Sequence, residues 1–368
     1  MKISKTIKST VGLMLVGVMA LSMTACGSTG SGGATASTTP AASSTPSATD
    51  NGNYADEITI VWYPNESAAD YQPARDEIAK LITEATGKEV EHKLTTDYSI
   101  AIEALASGTA QICFMGAQGY IEAKNKNDAV MPLFVNSGVS GTLDDAIYYS
   151  FFSVNKGDEE AYMENGEYSI TNVEGKRMSF VSNSSTSGFK VPSNAIITMF
   201  SETEKWKDID ADSLVEGGSD KFFSEVLFGG SHQGSAVNLL TGKADVAAFC
   251  DTELAPYAKV ASGDENTAGA VYEINADASA PFDTLAGKQF VIIKSTPVLN
   301  GPFAFNSETL SPDDVQKIQD LFTSEEVAAN DQIFVIKDSG KVGMFKKTDK
   351  ECFVLVDDSW FDPIRNMK

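Results

Sequence analysis

Beyond residue 53, apolar runs of five or six residues alternate with longer stretches whose apolar positions recur every three or four residues. Residues 58–63 read as a strand, 70–86 as a helix stopped by Gly87, 89–94 as a strand, 100–106 as a helix and 111–115 as a strand. Short apolar strands alternating with helix-length segments predict parallel α/β sheets. The same order returns farther on, with strands over 178–182 and 245–250 and helices over 191–200 and 235–240. This part of the chain has about 315 residues, more than a single core usually serves, so two lobes are expected.

The two series superpose. Residues 98–116 lie without a gap on 232–250, matching Leu105 with Leu239, Gly108 with Gly242 and Ala110 with Ala244. Ser107-Gly108 and Thr241-Gly242 both fall where a helix must stop, and glycine supplies the left-handed backbone of such a cap. Each segment reads as helix, glycine turn, strand. Tyr98 and His232 are then equivalent, each opening a helix at the carboxyl end of a strand. Open parallel sheets hold ligands beyond those ends, so two facing lobes put Tyr98 and His232 on opposite walls of one cleft.

The N-terminus follows another pattern. Lys2, Lys5 and Lys8 precede an apolar run over 11–23 and then Thr24-Ala25-Cys26, the order of an export signal. The run is shorter than the ~20 helical residues that cross a bilayer. Met23-Thr24-Ala25-Cys26 resembles a bacterial lipobox, which implies that Cys26 is lipidated and becomes the new N-terminus; the alternative is an ordinary signal with an incidental cysteine. In 26–53, 24 of 28 residues are Gly, Ser, Thr, Ala or Pro. Such a stretch buries too little to offset its ordering entropy, and reads as a disordered tether with a reach of roughly 30 Å.

Composition narrows the partners. The chain has 28 basic and 51 acidic residues, a net charge of −23, and no basic tract. Nonspecific attachment to nucleic acid or to an anionic membrane surface is therefore excluded. With Cys26 assigned to lipid, Cys113, Cys250 and Cys352 remain, an odd number that rules out a full disulfide framework. Cys113 and Cys250 lie in apolar strand-like runs and read as buried free thiols. No Cys or His pair has zinc-ligand spacing, and neither metal nor cofactor is expected.

The most informative stretch is 178–189, a strand running through Ser184-Ser185-Thr186-Ser187-Gly188 into a helix. Hydroxyls and unpaired backbone N–H groups at a helix start form an anion site without formal positive charge; the alternative is a serine-rich loop with an ordinary N-cap. The segment Tyr63-Pro64-Asn65-Glu66 follows the first strand and reads either as a turn or as part of the cleft wall. In the second case Glu66 accepts a hydrogen bond from a protonated oxygen of the bound anion.

Ser184-Ser-Thr-Ser-Gly-Phe189 with Val191-Pro192 resembles the periplasmic phosphonate-, phosphite- and phosphate-binding proteins of ABC importers. Asp97-Tyr98, His232 ahead of Lys243-Ala-Asp-Val-Ala247, and Val298-Leu-Asn-Gly-Pro-Phe303 resemble further segments of that family in order. The resemblance implies a two-lobed type II periplasmic-binding-protein fold, each lobe a mostly parallel sheet flanked by helices. The expected division is a signal over 1–25, the tether over 26–53, a first lobe over 54–147, a second over 148–296, and a return to the first lobe with C-terminal helices over 297–368. Ser185, Thr186 and Ser187 would hold phosphoryl oxygens from one lobe, with Tyr98 and His232 as further donors. The implied protein is a lipid-anchored, exported monomer on the outer face of the cytoplasmic membrane. It would close two lobes by a hinge movement and deliver its ligand to an ABC permease and ATPase.

The departures bear on the ligand. Met115 stands where the family carries an aromatic hydroxyl, leaving an apolar wall. One acid that aminoethylphosphonate binders use for the substrate amine is absent, because Pro302 follows Gly301; the other corresponds to Asp251 or Glu253. Phosphate, phosphite or a small alkylphosphonate is therefore favoured over an amine-bearing phosphonate. A sensor or adhesin on the same two-lobed module is an alternative. A hydrolase using Ser187, His232 and Asp251 is another, although no Gly-x-Ser-x-Gly elbow is present.

Overall fold

The computed structural model describes residues 54–368 apart from 68, 338, 340 and 342. The export signal, Cys26 and the tether lie outside the described residues. Strand β1 (Ile58–Trp62) is buried throughout and lies between β2 (Val90–Leu94) and β3 (Ile112–Phe114), parallel to both. Helix α1 (Gln72–Thr86) connects β1 to β2, and α2 (Tyr98–Ala106) connects β2 to β3. After α3 (Ala117–Lys126) and β4 (Val130–Asn136), the chain enters a second sheet through β5 (Ile147–Asn155) and a small hairpin, β6 (Met163–Glu164) and β7 (Glu167–Tyr168).

There the first pattern repeats. Strand β8 (Arg177–Phe180) is followed by α4 (Val191–Phe200), β9 (Glu225–Phe228), α5 (His232–Leu240) and β10 (Val246–Cys250). It too is flanked by its successors in parallel, giving β9-β8-β10 in one sheet against β2-β1-β3 in the other. Gly108 and Gly242 both take φ of +75° at the helix stops. The gapless overlay thus corresponds to a repeated βαβαβ unit.

Beyond α6 (Asp251–Leu254), strands β11 (Ala258–Ser262), β12 (Val271–Ile274) and β13 (Gln289–Leu299) extend the second sheet with antiparallel ladders. Strand β14 (Pro302–Asn306) returns to the first sheet, antiparallel to β3 and β4. The chain ends through α7 (Pro312–Phe322), α8 (Glu325–Ala328), the parallel pair β15 (Phe334–Ile336) and β16 (Phe345–Lys347), edge strand β17 (Phe353–Val354) and α9 (Asp362–Arg365). Each sheet therefore joins a parallel unit to an antiparallel extension, and the parallel units carry the site.

Period-two burial makes three layers in each lobe. From β1, Ile58, Ile60 and Trp62 pack with Ile78 and Leu81 of α1, whereas Val61 packs with Ala101 and Leu105 of α2. In β10, Val246 and Ala248 face the core shared with α4, and Ala247 and Phe249 the core shared with α5. Two segments join the sheets, one from β4 to β5 and one from β13 to β14. Asn300 ties them together, its N–H donating to Ala146 O at 3.0 Å and its side-chain amide to Asn136 O at 2.7 Å.

Candidate ligand-binding cleft

Four helix starts converge on one cavity of about 530 Å³ between the sheets. Tyr98 opens α2, Gly116 caps α3, Ser185 caps a wide helical turn over Thr186–Lys190 that runs on into α4, and His232 opens α5. Each start brings the positive end of its helix dipole to the cavity wall. Helices α2 and α5 begin two or three residues before the apolar periodicity, because Asp97 and Ser231 cap them by accepting from Ser99 N and Gly234 N.

The three consecutive hydroxyls have different occupations. Ser185 Oγ accepts from Gly188 N at 3.1 Å, and Thr186 Oγ1 accepts from Gln118 N of the opposite lobe at 2.9 Å. Their own hydroxyl protons lie toward two phenols of the cavity, Tyr98 for Ser185 and Tyr148 for Thr186. Ser187 Oγ is buried and makes no hydrogen bond of normal length among the described residues, although the Tyr148 phenol stands close enough to feel it. The lobes meet closely here: a Cβ on Gly116 would stand 2.7 Å from Thr186 Oγ1, so any larger residue forces a shift.

Across the cavity Tyr98 lies over Tyr63, their ring centres 4.1 Å apart. Its hydroxyl accepts from Asn65 Nδ2 at 2.7 Å and also interacts with Ser185, and burial pushes its pKa well up. His232 Nδ1 accepts from Cys250 N at 3.1 Å. The neutral ring therefore carries its proton on Nε2, as a donor. Burial lowers this histidine to about pKa 3, so it stays uncharged at physiological pH. Desolvation disfavours the charged form of either group, and both walls present neutral donors.

Carboxylates gather on another side. Glu66 is 4% exposed, within the turn Pro64–Ser67. Burial first, then Glu253, raises its pKa well above the usual carboxylate range. Glu253 accepts from Gln233 Nε2 at 3.2 Å and is pushed up to about 7 by burial; burial likewise raises Asp251 to about 6. Asp251 Oδ1 accepts from Tyr149 N at 2.8 Å and Oδ2 from Asn266 Nδ2 at 3.3 Å. It does not orient His232, whose Nδ1 is already an acceptor. A Ser-His-Asp relay needs the opposite arrangement.

A family profile described as "ABC transporter, phosphonate, periplasmic substrate-binding protein" matches residues 60–361. This chain belongs to that family. It is thus the substrate-binding component of an ABC transporter and works outside the cytoplasm. It is 23% identical over 275 residues to the phosphate-import protein PhnD of Mycolicibacterium smegmatis, covering 74% of this chain and 73% of that one. Among solved structures it is similar to the binding-protein component of a phosphonate ABC transporter from Pseudomonas aeruginosa, with TM-score 0.58, 18% identity and 84% coverage of both chains. It is similar also to PhnD1 of Prochlorococcus marinus in complex with methylphosphonate, with TM-score 0.58, 14% identity, and 85% and 97% coverage. The shared architecture is the two-lobed type II periplasmic-binding-protein fold. Among the described residues no helix is long and apolar enough to cross a membrane.

In this phosphonate-binding family member the cavity gathers every cleft residue singled out in the sequence. Tyr98, Ser185, Thr186, Ser187 and His232 line it, as do Tyr63, Glu66, Met115, Asp251 and Glu253. The segment after β1 turns out to be both a turn and a cleft wall. Two contributors were not legible. Asn65 bridges the lobes, accepting from His232 N at 3.1 Å while donating to Tyr98. Tyr148, at the start of β5, lines the cavity with its phenol near Ser187 and Thr186. It brings an aromatic hydroxyl to the cavity that Met115 does not offer. Asn65 beside a proline carries only a turn signal, and Tyr148 lies in a strand that gives no hint of facing a ligand.

Proposed function

We propose that this protein is a lipid-anchored, extracytoplasmic solute-binding protein that captures phosphate, phosphite or a small phosphonate by hinge closure and hands it to its permease. The observation that carries the reading is the buried Ser187 hydroxyl, without a hydrogen-bond partner among the described residues and placed at a helix start in the same cavity as Tyr98 and His232. Neutral hydroxyls, an imidazole N–H and helix-start amides suit a compact oxyanion, because they act locally in a dry cleft. Most of the 51 acidic residues do not line the cavity, and salt screens exposed charges beyond about 8 Å. The tied crossings at Asn300 supply a two-stranded hinge, and the binding residues come from both of its sides.

No catalysis is proposed, since Asp251 is committed to Tyr149 and Asn266 rather than to His232. The PhnD relative's phosphate import and the bound methylphosphonate of the Prochlorococcus protein support a phosphorus oxyanion. The test is a thermal-shift and calorimetric series with phosphate, phosphite, methylphosphonate, aminoethylphosphonate and sulfate. A true ligand raises the melting temperature with concentration. A phosphorus oxyanion is expected to give the largest shift without turnover; no shift from any of them, or turnover of a phosphoester, overturns the reading.

A further inference from the structure

The cavity contains more than donors. Glu66 Oε2 is buried and has no hydrogen-bond partner among the described residues, and the same holds for the Tyr63 hydroxyl and Ser187 Oγ. All three residues line the cavity. Two are hydroxyls that can donate; an ionised carboxylate can only accept. A fully deprotonated oxyanion also only accepts. Seating it against an ionised Glu66 puts two acceptors together in a dry site, where like charges repel most strongly.

The surroundings of Glu66 offer no other remedy. Arg75 donates to the backbone oxygen of Glu66, and its charge favours the ionised carboxylate. Glu253 opposes ionisation from the other lobe, with Asp251 behind it. Tyr63, Tyr71, Tyr98, Cys113 and His232 are neutral, and Asn65 hydrogen-bonds the carboxylate. A single proton between Glu66 and the ligand turns the repulsion into a charge-assisted hydrogen bond.

We propose that the ligand-bound site holds one proton shared between Glu66 Oε2 and an oxygen of the ligand, so that this protein selects a phosphorus oxyanion in the state that supplies or accepts that proton. The inference rests on the oxyanion reading above. No bond changes except O–H: either the ligand arrives with its P–OH and Glu66 ionised, or it arrives as the dianion and Glu66 supplies the proton. Raising the carboxyl's pKa by burial and Glu253 makes the second route accessible.

The experiment is titration calorimetry of the full chain with methylphosphonate, in buffers of different ionisation enthalpy, from about pH 5.5 to about pH 9. At the low end the free partners together hold more than one proton, so binding releases protons. Release diminishes as pH rises and gives way to uptake once both partners are ionised, where affinity falls about tenfold per pH unit. Glu66→Gln, whose amide can donate directly to a P–O⁻ oxygen, is expected to bind the dianion, so that the uptake at high pH and its tenfold loss of affinity per pH unit disappear and only release of the ligand's own proton remains at the low end. Binding by the wild type without pH-dependent proton exchange overturns the inference alone, as does unchanged exchange in Glu66→Gln. Aminoethylphosphonate binding more than about tenfold tighter than methylphosphonate, with no proton exchange, overturns it too, because an ammonium would then fill the place. Failure of every phosphorus oxyanion to bind overturns both readings.

Discussion

The loops that follow β1 and β8 occupy the same place in the two repeats, and their chemistry is opposite. After β1 the chain makes a tight turn and buries the Glu66 carboxylate; after β8 it opens a helix with Ser185, Thr186 and Ser187. The ends of β3 and β10 differ in a related way. Gly116 caps the ten-residue α3 with no side chain, whereas β10 leads into the four-residue α6 carrying Asp251 and Glu253. The duplicated unit fixes where groups meet, and the residue types decide whether the wall donates or accepts.

The largest expected effects come from the donor wall. Ser187→Ala and His232→Ala should each weaken oxyanion binding by about 10–100-fold, the value of about 1.5–3 kcal/mol for a hydrogen bond to a charged group. Calorimetry checks this. Because Ser187 Oγ has no hydrogen-bond partner within normal distance among the described residues, the ligand-free Ser187→Ala variant should melt no lower than the wild type; a loss of stability without a loss of affinity would make the hydroxyl structural and erase the contrast between the walls.

Next is the contact that brings the walls together. Gly116→Ala puts a methyl 2.7 Å from Thr186 Oγ1. It should cost about 1–3 kcal/mol of closed-state stability, read as weaker binding with an unchanged circular dichroism spectrum. Undiminished affinity would show that this approach is not needed in the bound form.

A buried acid on one wall and a buried base on the other predict opposite pH behaviour without ligand. Glu253 ionises near 4.5 when unfolded and near 7 when folded. In that window the folded state holds the extra proton, and its contribution to stability is lost as pH rises. His232 takes a proton near 6.5 when unfolded and only near 3 when folded. There the unfolded state holds the extra proton, and stability is lost as pH falls. Denaturant unfolding should therefore show Glu253→Gln removing part of the decline toward pH 7, and His232→Asn part of the decline toward pH 3, each by about 1–2 kcal/mol. A change of the reverse sign would contradict the burial assigned to the group.

The smallest effects belong to the paired helix caps. Asp97→Ala and Ser231→Ala should each cost about 1 kcal/mol of stability, measured by denaturant midpoint. Similar losses would support the equivalence of α2 and α5; a loss in only one would break it.

By itself the sequence determined what local periodicity and chain geometry control. Strand and helix alternation, the glycine stops at 108 and 242, the equivalence of Tyr98 and His232, and the hydroxyl-rich helix start were all readable, because each follows from neighbours within a few residues. The tertiary structure alone decided which side chains have spare hydrogen-bonding capacity. Ser185, Thr186 and Ser187 look alike in sequence, but a cap occupies one as acceptor, a cross-lobe amide occupies the next, and the third has no hydrogen-bond partner among the described residues. Asn65, Tyr148 and the Glu66–Glu253 juxtaposition depend on the two sheets facing each other. That approach brings together groups far apart in the chain and strips away water, and it is the loss of water that sets their protonation and their use.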